Sequence, residues 1–137
     1  YLNYAEAVFK YLGGADITSM EFPMSARAAA SKTRQRAGMP DFEQGMDANT
    51  FWTKLCNERF VELAFEGHRF WDVRRWKEAD KYFKNIVEMK LVKEADGSIT
   101  YVRKNVSRQW DDKMYLFPIP QSERSKNPNL TQNPGWE

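Results

Sequence analysis

Large apolar side chains recur at helical spacing along the first eighty or so residues, then give way to alternation and finally to proline-rich stretches. On a wheel at about 100° per residue, positions 1–12 place Asn3, Glu6 and Lys10 within a strip of roughly 60° and leave almost everything else apolar or aromatic. That pattern predicts a helix buried nearly all round, stopped by Gly13 and Gly14 because glycine enters the left-handed cap conformation without steric cost. After a loop at 15–23, residues 25–38 carry Ala26, Ala29, Ala30, Thr33 and Ala37 on one side and bases on the other. A second helix is predicted there, its small side chains allowing close packing, with Gly38 and Pro40 ending it. Two such helices joined by a short loop form an antiparallel pair of the TPR-like kind, although no second copy of the pattern is visible in the chain.

A third helix is expected to start at Asn49 or Thr50, both N-cap types, and to run to about Glu66 before Gly67 interrupts it. Trp52, Cys56, Phe60 and Leu63 share one side, with Val61 and Phe65 roughly opposite, so this helix is predicted to lie sandwiched between two layers. A short fourth helix follows, from about Arg69 to Lys77 and on towards Phe83. From Glu88 the texture changes: alternation on both sides of Asp96-Gly97 predicts a β-hairpin. Beyond Val106, the YLFPIP stretch is expected to be extended, because its prolines forbid helix. One helical turn is expected at 121–125, and the tail reads as a loop anchored by Leu130 and Trp136.

Composition narrows function mainly by exclusion. Twenty-one basic against nineteen acidic side chains leave a net charge of +2, too weak a field to recruit nucleic acid or anionic lipid. Aromatics make up 15% of the chain, which suits a packed helical core or sugar-stacking platforms equally well. The lone Cys56 excludes an intrachain disulfide and reads as a buried small hydrophobe. No apolar run is long enough to cross a bilayer, and the chain opens at Tyr1 already within a helical pattern, as a fragment or processed product would.

The richest segment for chemistry is 57–76. Glu58, Glu62 and Glu66 recur every four residues and so line one arc of roughly 80° along the third helix. Carboxylates stacked in this way repel unless neutralised, and Arg59, Arg69, Arg74 and Arg75 stand close in sequence. A partly buried ionic seam is therefore expected, because an unpaired buried charge costs several kcal/mol. The competing readings make two of the glutamates an acid–base pair, or make them metal ligands together with His68. His68 is the only histidine, which removes a His-based zinc site and a second histidine proton shuttle, and it is expected to be a hydrogen-bonded structural residue. Phosphate-cradling glycine loops, nucleophile elbows and paired cysteines are absent from the sequence, so no catalytic residue, cofactor or metal is assigned. Tyr101, Trp110, Tyr115 and Trp136 are possible sugar-stacking rings, and Trp110, between Gln109 and Asp111 in a polar loop, is the least core-like.

Taken together, LNYAEA from Leu2, RQRAGMP from Arg34, NERFVELAFEGHRFWDVRRW from Asn57, YLFPIPQSE from Tyr115 and NPNLTQNPGW from Asn127 resemble successive landmarks of the SusD/RagB family, in the family's order. The resemblance spans nearly the whole chain, with two local departures: Phe60 stands where Arg is common, and Arg124 where an aliphatic usually follows Ser-Glu. It implies a mainly α fold with TPR-like helix pairs, a small β-hairpin and a Pro-rich C-terminal wrap. It also implies that residues 1–137 are the C-terminal portion of one larger domain, with a helical part at 1–83 and hairpin plus extended tail at 84–137. The implied function is non-catalytic: a glycan- or nutrient-binding subunit of an outer-membrane uptake complex, acting with a SusC-like, TonB-dependent barrel transporter. The family resemblance further implies a cell-surface location on the outer membrane, through a lipid anchor upstream; mid-helix Cys56 is not that anchor. Binding residues in the family vary with the ligand and lie chiefly in more N-terminal segments, so none is carried over.

Two other function classes remain. A stand-alone TPR-like scaffold for a protein partner fits the helices but leaves YLFPIPQSE unexplained. A glycoside hydrolase using Glu58 and Glu62 fits the roughly 5 Å carboxyl separation of retaining enzymes, but it needs an open cleft where the pattern predicts a sandwich.

Overall fold

A computed structural model describes residues 1–137 and divides the chain into two compact units, Tyr1–Arg69 and Phe70–Glu137. The protein is mainly helical, with one small antiparallel sheet.

The first unit is built on α1 (Leu2–Leu12), α2 (Ala26–Arg36) and α3 (Ala48–Glu62). Gly13, at φ 79°, caps α1 in the left-handed conformation and donates its N–H to the Phe9 carbonyl, as the Gly-Gly stop predicts. Ser25 caps α2 by accepting the Ala28 N–H at 3.2 Å. Ala26, Ala29 and Ala30 of α2 are fully buried, and with no bulk beyond Cβ they let α1 approach closely through Leu2, Ala5, Val8 and Phe9. Phe51 and Leu55 of α3 complete this core, Phe51 with its ring 5.2 Å from Phe9 and 5.9 Å from Phe42. Full burial of side chains this size stabilises by about 1.5–3 kcal/mol each.

Three expectations are corrected in this unit. The N-cap of α3 is Asp47, whose carboxylate accepts the N–H groups of Asn49 and Thr50, the two residues expected to cap. An ionised acceptor serves that role at least as well as a hydroxyl or amide. α1 is buried on one face only: Leu2, Ala5, Glu6, Val8 and Phe9 are inside, while Tyr11 is exposed. α3 likewise buries one side, through Phe51, Leu55, Cys56 and Arg59, and leaves Phe60 and Val61 exposed, as is Phe65 just beyond its end. A helical wheel finds apolar faces but does not say which of them meet a neighbour.

Helix α4 (His68–Arg75) carries the boundary between the units. The second unit continues with α5 (Ala79–Tyr82), the strands β1 (Asn85–Lys93) and β2 (Ile99–Ser107), a 3₁₀ turn at Asp112–Tyr115 and α6 (Gln121–Lys126). α4 falls close to the short helix expected from about Arg69 to Lys77, but it does not continue towards Phe83: α5 is a separate helix, with Lys77 at φ 56° and Glu78 between the two. The hairpin forms around Asp96-Gly97 and starts three residues earlier than its alternation suggests. Gly97, at φ 86°, closes the turn by donating its N–H to the Glu94 carbonyl, a backbone conformation that favours glycine. Leu91 pairs with Tyr101 and Lys93 with Ile99 on a face that stays exposed.

The proline-rich segment lacks N–H donors at Pro118 and Pro120, and side chains of the tail supply part of its hydrogen bonding. Gln132 accepts the Ile119 N–H at 2.7 Å and donates to the Ile119 carbonyl at 3.0 Å, and Asn133 donates to the Phe117 carbonyl. Trp136 donates its indole N–H to the carbonyls of Lys113 and Leu116.

Candidate functional site

Two constellations stand out, one in each unit. In the first unit, charged side chains of α3 meet those of α1 and α2. Arg34 of α2 donates to the Glu58 carboxylate at 2.8 Å with both side chains mostly covered, and Arg36 donates to Glu62 at 2.6 Å nearer the surface. The partners of these two glutamates come from the basic side of α2, far away in sequence. Arg59 is buried: its guanidinium donates to the Asn3 side chain at 2.7 Å and lies 3.8 Å from the buried Glu6 carboxylate of α1. His68 stands 3.9 Å from Glu66, both exposed, and Arg69 lies over the Phe60 ring at 4.5 Å. The loop between α1 and α2 is tied in similarly, Asp16 accepting from Arg27 and from the Gly45 N–H. Burial pushes the Asp16 pKa up, but the Arg27 hydrogen bond, the Gly45 N–H and the Arg27 charge together bring it below the usual aspartate value. Chemically, this arrangement neutralises carboxylates and locks three helices to one another.

In the second unit, α4 projects Phe70, Trp71, Arg74 and Arg75, and the returning chain adds Phe83, Trp110, Tyr115 and Phe117. The Arg74 guanidinium carbon lies 3.5 Å from the Phe70 ring centroid and 5.4 Å from those of Phe83, Trp110 and Phe117. Electron-rich faces compensate part of the cost of enclosing this cation, typically by about 0.5–2 kcal/mol per contact. Desolvation still holds its pKa below the ordinary arginine value. No carboxylate pairs with it; Nη1 donates to the Phe70 carbonyl at 3.3 Å, and Nε is buried without a partner. Arg75, by contrast, is committed to the buried Asp72 at 2.7 Å.

Beside the aromatic cluster opens a cleft of about 770 Å³ whose walls include Trp71, Arg74, Lys77, Asp112, Lys113 and Leu116. Trp110 is not among its lining residues: the indole packs against Phe83 and Tyr115, with its N–H buried and unpartnered. Trp71 is the accessible indole, 60% exposed, its ring steeply inclined to those of Phe70 and Phe117. Sequence reasoning passed over Trp71, Lys77 and Lys113. Trp71 sits in a segment that reads as core, and the two lysines stand 36 positions apart with no pattern linking them.

The sequence matches the SusD family over residues 1–136, and the chain belongs to that family. No curated protein and no solved structure matches it. Membership points to a nutrient-binding role; proteins of this family are generally non-catalytic, work with SusC-like transporters and are typically outer-membrane lipoproteins. No helix here is long and apolar enough to cross a membrane.

Proposed function

We propose that this chain is the C-terminal scaffold portion of a non-catalytic, glycan-binding subunit of an outer-membrane SusC/SusD-type uptake complex. A lipid anchor upstream holds the whole protein at the cell surface, where it works with a TonB-dependent barrel. The observation that carries this reading is the family match along the full helical and hairpin sequence. The exposed apolar side chains at the end of α3 and just after it, Phe60, Val61 and Phe65, support it, since such surface is suited to further helices of a larger TPR-like domain. The tail's hydrogen bonds to the proline-rich segment support the C-terminal wrap. Glu58 and Glu62, each held by an arginine of α2, belong to the ionic seam in this reading and have no part in hydrolysis.

The test is to express the complete reading frame in its native membrane. Co-purification with a barrel transporter and retention of an oligosaccharide without release of reducing ends are expected. Steady appearance of reducing ends, abolished by Glu58→Gln, would overturn the reading.

A further inference from the structure

The cleft beside the aromatic cluster carries an unbalanced set of charges. Arg75 is neutralised by Asp72, which leaves Arg74, Lys77 and Lys113 facing Asp112 alone among acidic residues of the cleft wall. None of those three cations has a carboxylate partner, in a chain where most other arginines are paired. Lys113 instead holds its ammonium 4.9 Å from the Trp136 ring, and Lys77 is exposed at the end of α4. The cleft wall also carries apolar surface, chiefly the exposed Trp71 indole and Leu116. The volume, about 770 Å³, falls within the roughly 300–1,000 Å³ typical of small-ligand sites.

Each component selects for one part of a ligand. The Trp71 indole, in the cleft wall and 60% exposed, offers an aromatic surface for the C–H side of a pyranose ring. The uncompensated cations favour an anionic group, and Asp112 offers an acceptor for a hydroxyl that a purely basic site would lack. We propose that this cleft binds an acidic saccharide, its ring stacked on Trp71 and its anionic group held by Lys77 and Lys113 in the positive field of Arg74. The inference rests on the nutrient-binding reading and deepens it, by assigning a charged class of glycan and a site within the C-terminal portion. Carboxylate and sulfate ester share the required chemistry.

Titration calorimetry of the full-length protein tests this with trigalacturonate, its methyl ester, a sulfated chondroitin disaccharide and inorganic sulfate. Trigalacturonate, the sulfated disaccharide or both are expected to bind, which identifies the anionic group. The methyl ester is expected to bind at least tenfold more weakly than trigalacturonate if carboxylate is the group, and inorganic sulfate more weakly than either saccharide. Trp71→Ala and the double variant Lys77→Gln/Lys113→Gln should each weaken saccharide binding about tenfold, with melting temperature checked on each. Affinity unchanged in Trp71→Ala, equal affinity for acid and ester with no binding of the sulfated sugar, or inorganic sulfate binding as tightly as the sugars would each overturn the proposal. If the full-length protein retains a neutral glycan while the cleft variants change nothing, the site assignment fails and the nutrient-binding reading stands. If no glycan of any charge is retained, the nutrient-binding reading fails with it.

Discussion

Arg59 of α3 and Glu6 of α1 form an ion pair inside the first unit, Nε 3.8 Å from Oε2, with Asn3 Oδ1 accepting a hydrogen bond from Nη1 at 2.7 Å. Both side chains are more than nine-tenths buried, so each charge draws part of its compensation from the other. Truncating one partner removes that compensation from a buried charge. Arg59→Ala is expected to lower unfolding free energy by about 3–5 kcal/mol, read from urea denaturation. A loss below 1 kcal/mol would show that water or rearrangement solvates Glu6.

The two α2–α3 ion pairs differ in cover, and so should their worth. Arg34–Glu58 is mostly shielded, whereas Arg36 is 66% exposed. Glu58→Ala is expected to destabilise more than Glu62→Ala, the latter by no more than about 1 kcal/mol. Raising salt should shrink the Glu62 effect further and leave most of the Glu58 effect in place. Equal losses for the two variants in denaturant titrations would contradict this ranking.

Phe65 is fully exposed at φ 66°, a left-handed conformation costly for a bulky L-residue. Phe65→Gly removes that strain and gives up little burial within the chain. It is expected to raise the melting temperature of the isolated chain, corresponding to about 1 kcal/mol. A lower melting temperature would mean that the ring packs against something after all.

Asp16 contributes to the pH dependence of stability. Its folded pKa lies below the ordinary value of 3.8, so the folded state binds fewer protons there than the unfolded chain. The stabilisation is complete above the unfolded pKa and is lost as pH falls from about 3.8 through the lower folded value. Acid unfolding of Asp16→Asn should therefore show a shallower loss of stability in that window, with the difference from wild type vanishing at the acid end. Parallel curves for the two proteins would remove Asp16 from the acid response.

Asp47 gives a simpler measurement. It accepts two N–H groups at the start of α3, and Asp47→Ala is expected to cost about 1 kcal/mol, with Asp47→Asn or Asp47→Ser recovering most of it. Failure of both replacements to recover stability would argue against a capping role.

By itself the sequence determined the local elements, since their causes are local. Gly13 ends α1, the small residues of α2 set its packing face, Asp96-Gly97 turns the hairpin, and Pro118 and Pro120 exclude helix. Family membership was legible for the same reason, because its landmarks are contiguous runs such as 57–76 and 115–123. Which groups meet across long separations in sequence follows from the packing of the helices instead. Arg34 and Arg36 reach Glu58 and Glu62, and Arg59 turns to Glu6, because three helices bring those faces together. The wheel gave α3 two apolar sides, but burial needs an apolar neighbour, and Phe60, Val61 and Phe65 remain exposed in this chain. Trp110 lies in a polar stretch yet packs among aromatics, while Trp71, in a stretch that reads as core, is the exposed ring. Side-chain burial depends on where the returning chain passes, and no periodicity in the sequence encodes that path.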